Sequence, residues 1–285
     1  MSFTFGRARS GGAGRSSIMP RLIIAAVIVV ISLLTYFGSS VYNPVTDETQ
    51  HIDLTVEQEI ALGLQAAPEM AAQYGGLHPD QKAQALVDEV GQKIVAQTAA
   101  GDTDYKFDFH LLADEETINA FALPGGPVFI TAALLQRLKT EGQLAGVLGH
   151  EIGHVVARHS AEHIAKAKLT EGLTGAAVIA AYDPDNPQSS QQSAAIAAMI
   201  GQLVNMRYGR EDELESDRLG VRFMAEAGYD PRSMVEVMKI LAEASQGQDP
   251  PEFFSTHPNP DRRIERIQAA IAEEFPNGVP EGLVE

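Results

Sequence analysis

Residues 144–160 read LAGVLGHEIGHVVARHS and place His150, Glu151 and His154 in the spacing H-E-x-x-H. On an α-helix, positions i and i+4 lie about 40° apart around the axis, so both imidazoles point the same way and can bind one metal ion. Glu151 lies beside them as a carboxylate that can accept a proton from a metal-activated water without binding the ion. Chance produces this pattern in about one chain in fifty of this composition, so the interpretation requires a third ligand.

The composition limits the alternative chemistry. The chain has 285 residues, of which 45% are hydrophobic, as is typical of a globular protein with one large domain or two small ones. Since it contains no cysteine, disulfides, thiolate ligands and cysteine nucleophiles are excluded, and a metal must be bound by histidine and carboxylate. Beyond the four N-terminal arginines there are 17 basic and 38 acidic residues, a formal charge of −21, which argues against nucleic acid as a partner.

The N-terminus predicts a membrane anchor. Residues 1–21 contain four arginines and no acid, and residues 22–38 contain no charge. This apolar run covers roughly 25 Å as a helix, which with its flanks is enough to span a bilayer. A cleaved signal peptide is the alternative, but the run exceeds the usual apolar core of such peptides and no good cleavage site follows. Because residues 41–60 contain five acids and no Lys or Arg, we expect a cytoplasmic N-terminus and an extracytoplasmic body, periplasmic in a bacterium.

The remaining chain predicts a linker over residues 39–53 and a single, mainly helical α+β domain over residues 54–285. Thr55, with Gln58 three residues later, forms the capping-box pattern of a helix start, and Asp80 opens a second helix. From Tyr105 the apolar residues alternate, which indicates a strand. Further strands at 119–123 and 128–131 flank a Pro-Gly-Gly-Pro turn, so a small sheet precedes the H-E-x-x-H helix.

A third ligand is expected on the acidic amphipathic helix that follows Gly209. Glu213 and Asp217 are four residues apart and share a face, whereas Glu215 points about 200° away from Glu213. We predict that Glu213 is the third ligand and that Asp217 accepts a hydrogen bond from a ligand imidazole, with Glu215 as the next candidate ligand. On a continuous helix, His159 and His163 lie about 180° and 220° around the axis from His150, so both are predicted to face away from the metal.

Four segments resemble one family. They are NAFALPGG at 119–126, HEIGH at 150–154, ELESDRLG at 213–220 and THPNPDRR at 256–263. Together they resemble zinc metallopeptidase family 48, which includes the HtpX, Oma-type, BepA-like and CAAX prenyl endopeptidases. The similarity runs from about residue 57 to residue 267. Family members read E-x-x-A-D at the third motif and bind zinc through its first Glu, which carries over to Glu213 and Asp217, with Ser216 in place of Ala.

The resemblance implies a zincin-type (gluzincin) metallopeptidase domain that binds one Zn²⁺ per chain. We expect a minimal, membrane-anchored member without a tetratricopeptide domain. In similar BepA-like proteins the residue matching His257 approaches the zinc as a reversible fourth ligand or stabilises the oxyanion, so His257 is a candidate regulatory or catalytic residue. A helix cap and turn is the alternative for this segment. Arg263 is a candidate substrate-binding residue.

The expected function is zinc-dependent hydrolysis of peptide bonds in unfolded or misfolded envelope proteins, with Glu151 as general base. An extended substrate is expected to add to the edge strand near Asn119, Ala120 and Phe121. A membrane-anchored chaperone or adaptor that binds unfolded chains without cutting them is the alternative from another class. A latent enzyme gated by His257 or by the loop at 183–192 is a further alternative, and residues 170–206 are interpreted as a short helical hairpin near the membrane or over the site.

Overall fold

The computed structural model describes residues 18–181, 208–245, 251–258 and 262–285. The chain divides into two units, one formed by Met1–Ser39 with Lys166–Asn205 and the other by Ser40–Ala165 with Met206–Glu285. From residue 182 onward, the hairpin predicted over 170–206 lies outside the described residues, as does the predicted loop at 183–192. The second unit holds every residue predicted to form the metal site.

The first unit contains helix α1, Ile18–Gly38, which starts four residues before the predicted anchor at 22–38. In the described part of the chain, α1 is the one helix that is long and apolar enough to cross a membrane, with a mean hydropathy of 2.3 over Met19–Gly38. Many of its large apolar side chains are exposed, as on a lipid-facing surface, whereas a stripe that includes Ala25, Ile28 and Val29 is buried or half-buried. The exposed residues include Leu22, Ile23, Ile24, Val27, Val30, Ile31, Leu34 and Phe37.

The second unit begins with a short antiparallel hairpin inside residues 39–53, which are predicted to form a linker. Strand β1, Ser40–Asn43, pairs with β2, Glu48–His51. Asn43 and Gln50 are both buried, although amide side chains usually face solvent. Four-residue strands with one polar inward-facing position each carry no alternating apolar pattern, which is why periodicity predicts a linker here.

Helices α2, Val56–Gln73, and α3, Gln81–Gln97, start where the sequence predicts. Thr55 and Gln58 form the reciprocal capping box, and the Asp80 carboxylate accepts from the first turn of α3. The sheet comprises β3, Asp108–Leu112, β4, Ala120–Ala122, and β5, Pro127–Thr131, in the order β3-β5-β4. Strand β3 runs parallel to β5 and β4 runs antiparallel to it, so the predicted small sheet and the mainly helical α+β class are confirmed.

The sheet is covered on both faces. Val128 and Ile130 of β5 face the main core, to which α3 and α5 contribute, whereas Phe129 faces the other way. On that second face Phe121, Phe129 and neighbouring apolar residues pack against α2. Strand β4 lies at the edge of the sheet, and the turn that follows it uses Gly125 and Gly126 at φ values of 83° and 131°, which residues with a side chain rarely adopt.

Helix α5, Glu141–Val156, is the centre of the second unit, and every residue from Gly142 to Val156 is buried. It follows the short α4, Ala132–Leu135, and continues after a break into α6, His159–Ala181. The remaining described helices are α7, Arg210–Glu226, α8, Arg232–Ala244, α9, Phe253–Thr256, and α10, Arg263–Glu274.

Glycines allow α5 and α7 to approach backbone to backbone. A Cβ placed on Gly153 would lie 3.1 Å from the carbonyl oxygen of Ser216, and one on Gly149 would lie 3.4 Å from that of Gly220. The sequence leaves open whether such glycines face a backbone or a substrate, and here they face the neighbouring helix. The close approach brings the H-E-x-x-H face of α5 opposite the acidic face of α7.

Candidate metal centre

Three helices bring four potential metal donors together. His150 and His154 come from α5, Glu213 from the first turn of α7, and His257 follows the last residue of the short helix α9. One donor atom of each lies within 4.8 Å of the others, and all four residues are buried. The structure therefore brings together the three ligands predicted from the sequence and adds His257 to them.

The separations between these donors fit a tetrahedral ion. The His150 and His154 Nε2 atoms are 3.0 Å apart, and their distances to the nearer Glu213 oxygens are 3.6 and 3.4 Å. His257 Nδ1 lies 3.4 Å from His150 Nε2 and 3.0 Å from Glu213 Oε1. Tetrahedral zinc with bonds of about 2.0–2.1 Å to nitrogen and oxygen separates its ligands by roughly 3.3 Å. The donor set of imidazoles and carboxylate also suits zinc chemically.

The pKa shifts of Glu213 and His154 favour binding a cation, whereas the shift of His257 favours its protonated, non-binding form. Burial alone would raise the pKa of Glu213, but His257 and hydrogen bonds from His154 and His257 outweigh it and hold that pKa well below its usual range. Burial lowers the pKa of His154 well below its usual value, which favours the neutral imidazole that a metal requires. The nearby carboxylates of Glu151 and Glu213 outweigh the burial of His257 and raise its pKa.

Glu151 lies fully buried beside the donor cluster. Neither of its carboxylate oxygens has a hydrogen-bond partner among the described residues, and its Oε1 lies 3.6 Å from His257 Nε2. Burial raises its pKa, although the neighbouring His257 and His150 oppose the shift. A buried carboxylate left without partners is costly, so its placement indicates a chemical role rather than a structural one.

The nitrogen of His150 that faces away from the other donors contacts Asp217, which forms an ion pair with Arg263. His150 Nδ1 lies 2.9 Å from Asp217 Oδ1, as the sequence predicts for an acceptor that orients a ligand imidazole. Asp217 in turn accepts from Arg263 Nε at 2.7 Å and Nη2 at 2.8 Å, and Arg263 Nη1 lies 2.9 Å from Glu213 Oε2. The Arg263 side chain is 1% exposed. The structure thus places Arg263, predicted as a substrate-binding residue, behind the donors as the counter-ion of two carboxylates.

His154 has a different environment, which no sequence pattern predicts. Its Nδ1 lies 2.8 Å from His159 Nδ1, and the Tyr208 ring stacks on its imidazole at a centroid distance of 4.0 Å. The helical-wheel prediction that His159 faces away from the metal fails because α5 ends at Val156 and Arg158 takes a left-handed conformation at φ 60°. The chain therefore turns back, and His159 returns to His154.

Other predicted positions lie outside the donor cluster. His163 binds Asp212 at 2.7 Å, away from the four donors, as predicted. Glu215, the next candidate ligand, lies 2.9 Å from His159 Nε2 instead. No sequence signal marks His159, since Arg158 is not a residue type that favours positive φ. For Tyr208, the only sequence signal of a role near the metal is its position just before the acidic helix.

The predicted substrate edge lies at β4. Asn119 exchanges backbone and hydroxyl hydrogen bonds with Thr131 of the neighbouring chain segment, and its amide nitrogen lies 3.1 Å from the Tyr74 hydroxyl. Since alternate residues of a strand bond to opposite sides, Ala120 and Ala122 direct their backbone groups away from β5. Phe121 directs its side chain to the α2 face. Ala120 and Ala122 are 0% and 5% exposed, so this edge is covered in the structure.

The family model and the similar known proteins all indicate the same family of peptidases. Residues 81–271 match the model of Peptidase family M48. The chain is 33% identical over 245 residues to the mitochondrial metalloendopeptidase OMA1 of Schizosaccharomyces pombe. The aligned region covers 84% of this chain and 68% of that protein. It is 31% identical over 219 residues to the beta-barrel assembly-enhancing protease of Yersinia pestis, covering 74% of this chain and 43% of that protein. The Escherichia coli K12 protein of the same name is 31% identical over 189 residues, with 62% and 37% covered.

Proposed function

The chain belongs to peptidase family M48 and is a metal-dependent peptidase, and we propose that it is a membrane-anchored zinc endopeptidase that cleaves unfolded or misfolded envelope proteins. The observation that supports the proposal most directly is the buried cluster of His150, His154 and Glu213 with Glu151 beside it. One Zn²⁺ per chain is proposed because the donor types and separations fit that ion.

The proposed ligands are His150, His154 and Glu213. When bound, the ion would supply a Lewis acid that polarises the substrate carbonyl and activates a water. Asp217 holds the His150 imidazole through its Nδ1 at 2.9 Å, which fixes the orientation of the opposite nitrogen toward the cluster. Arg263 neutralises Asp217 and so keeps two carboxylates tolerable in a buried site.

We assign Glu151 the role of general base. It takes a proton from the attacking water and returns it to the leaving amine, so one residue serves both halves of the hydrolysis. Two observations support this assignment: neither of its carboxylate oxygens accepts a hydrogen bond from the residues that the structure describes, and it follows His150 in the sequence.

The substrate is proposed to be an extended polypeptide. A peptide that adds to β4 would bind main chain to main chain through Ala120 and Ala122, whose backbone groups point away from β5. Asn119, which precedes the strand, and Phe121, which lies between the two alanines, are also proposed to take part. Such binding requires an unpaired segment of substrate, which selects unfolded chains over folded ones. Helix α1 would anchor the enzyme, with its N-terminus cytoplasmic and the catalytic domain extracytoplasmic.

The test is cleavage of an unfolded protein such as casein by the full chain in detergent. Glu151→Gln removes the base and keeps the shape, so cleavage should fall by about 10²–10⁴-fold while zinc content, measured by metal analysis, stays at one per chain. Glu69→Gln on the exposed face of α2 is the matched control and should cleave like the wild type. Equal cleavage by wild type and Glu151→Gln would refute the mechanism. Binding of casein by a wild type that never cleaves it would favour the chaperone or adaptor.

A second candidate, a latent form of the same enzyme, is favoured by two observations. His257 adds a fourth protein donor to the cluster, whereas catalytic zinc sites keep one position open. The docking edge of β4 is covered, and the backbone N–H of Phe253 in α9 donates to Ile118 just before that strand. The turn that carries His257 is thus tied to the edge where substrate would bind. We propose that withdrawal of this turn opens both the metal position and the edge.

His257→Ala tests latency. If His257 closes the site, casein cleavage by the variant should rise several-fold above wild type with zinc content unchanged, because three ligands remain. Thr256→Ala, which removes only a hydroxyl that bonds within the same turn, is the control. No change or a fall in cleavage by His257→Ala would contradict latency and indicate that His257 serves catalysis or structure instead.

A further inference from the structure

The two proposed ligand imidazoles differ in what lies behind them. His150 Nδ1 meets the carboxylate of Asp217 directly, at 2.9 Å. His154 Nδ1 meets another imidazole, His159 Nδ1, at 2.8 Å, and the far nitrogen of His159 lies 2.9 Å from Glu215 Oε2. Both His154 and His159 are buried, and the His159 side chain is 1% exposed.

The chemistry of metal binding sets the protons in this chain of groups. His154 directs Nε2 to the donor cluster, so its Nδ1 must carry the proton and donate to His159 Nδ1. His159 then carries its own proton on Nε2 and donates to Glu215. Each group therefore acts either as donor or as acceptor in each hydrogen bond. The Glu215 carboxylate polarises His159, and His159 in turn makes the ligand nitrogen of His154 more basic. For His150, Asp217 has the same effect by direct contact.

The backbone between the two histidines is fixed by buried polar contacts. Arg158, whose left-handed conformation turns the chain back, donates to the carboxylate of Glu59 and to the carbonyl of Leu54. The hairpin contributes from the other side, where Asn43 Nδ2 donates to Val156 O at 2.8 Å and Gln50 Nε2 donates to Ala157 O at 2.7 Å. These contacts satisfy the last carbonyls of α5 and hold the break that returns His159 to His154.

We propose that His159 is a positioning residue for zinc, which orients His154 and raises its basicity with Glu215 as the terminal acceptor. The proposal rests on the proposed function, since it presumes that His154 is a metal ligand. His159 does not contact the ion or the substrate, and it acts only through His154. The sequence pattern for this arrangement is therefore H-E-x-x-H followed by a further His, His159, five residues after the second ligand, His154.

The experiment measures zinc affinity of the full chain in detergent by competition with a chromophoric chelator. His159→Leu removes the acceptor for His154, so the zinc dissociation constant should rise by about 10–100-fold. His159→Asn places an amide oxygen near the former Nδ1 but does not reach Glu215. Its dissociation constant should lie between those of wild type and His159→Leu. Glu215→Gln keeps an acceptor for His159 without the charge and should give a rise of only a few fold.

His163→Asn is the matched control, because His163 lies on the same helix and pairs with Asp212 rather than with a donor. Its zinc affinity should equal that of wild type. The urea midpoint of each zinc-free variant reports folding separately. If His159→Leu and His159→Asn bind zinc as tightly as wild type, or lose affinity only in step with a lower urea midpoint, the inference is wrong and His159 is structural. If wild type and Glu213→Gln bind zinc equally, the proposed metal site itself is wrong.

Discussion

The two sides of the metal centre are built in different ways. On the His150 side, Asp217 and Arg263 form a buried ion pair between the facing helices α7 and α10. On the His154 side, the partner is the imidazole of His159, reached only because the chain breaks between α5 and α6. On the first side an ion pair contacts the ligand directly, whereas the second side depends on a backbone break that the ion pair of Arg158 with Glu59 holds from farther away.

This difference predicts how each side responds to substitution. Arg263 is buried with two carboxylates, and each of them depends on its charge. Removing one partner of a buried ion pair leaves an uncompensated charge, which costs more than the pair contributes when intact. On the His154 side the ion pair of Arg158 with Glu59 does not contact the donors, and the other contacts are hydrogen bonds to backbone carbonyls, each of which contributes less. The His150 side should therefore be the more sensitive of the two.

Arg263→Met gives the largest expected effect in this comparison. Asp217 and Glu213 would remain buried without their counter-ion, so the zinc-free protein should lose about 3–5 kcal/mol of unfolding free energy in urea. Burial works against the charge of Arg263, but the carboxylates of Asp217 and Glu213 outweigh it and raise the pKa, so the guanidinium is charged at any working pH.

Arg262→Met is the control for that substitution. Arg262 precedes Arg263 but pairs with Glu265 on the exposed surface, where ion pairs contribute little. Its urea midpoint should match that of wild type. Equal midpoints for the Arg262 and Arg263 variants would mean that the buried pair contributes nothing, and the contrast between the two sides would no longer hold.

The sequence predicts the ligands and Asp217 on the His150 side because their signals are local, but it assigns Arg263 to substrate binding instead of to its ion pair with Asp217. His150 and His154 follow from a four-residue spacing on one helix, and Glu213 with Asp217 follow from the same spacing on another. Helix starts at Thr55 and Asp80 follow from capping residues that act within one turn. The mainly helical α+β class and the apolar N-terminal helix are also confirmed, since periodicity and apolar run length determine them.

The His154 side could not be predicted because its cause is tertiary. The left-handed Arg158 is not favoured by its own residue type and is held by Glu59, which lies 99 residues earlier in the chain. The buried amides of Asn43 and Gln50 lie in a stretch with the composition of a linker. A helical wheel assumes an unbroken helix, so it places His159 on the wrong side of the axis once the helix ends at Val156.

Asn43→Ala tests the His154 side by removing a hydrogen bond to the backbone at the end of α5. The substitution leaves the carbonyl of Val156 without its side-chain donor and Val45 N–H without its acceptor, so the zinc-free protein should lose about 1–2 kcal/mol in urea. Zinc affinity should fall as well, by less than in His159→Leu, because the break at Arg158 loosens while His159 remains.

The control in the same hairpin is Tyr42→Phe, which removes an exposed hydrogen bond to Asp47 and should leave both the urea midpoint and zinc affinity unchanged. Two results would contradict the proposed role of the hairpin. If Asn43→Ala behaves like Tyr42→Phe, the carbonyls at the end of α5 do not depend on β1. If it destabilises the protein without weakening zinc binding, the hairpin supports the fold but not the return of His159 to His154.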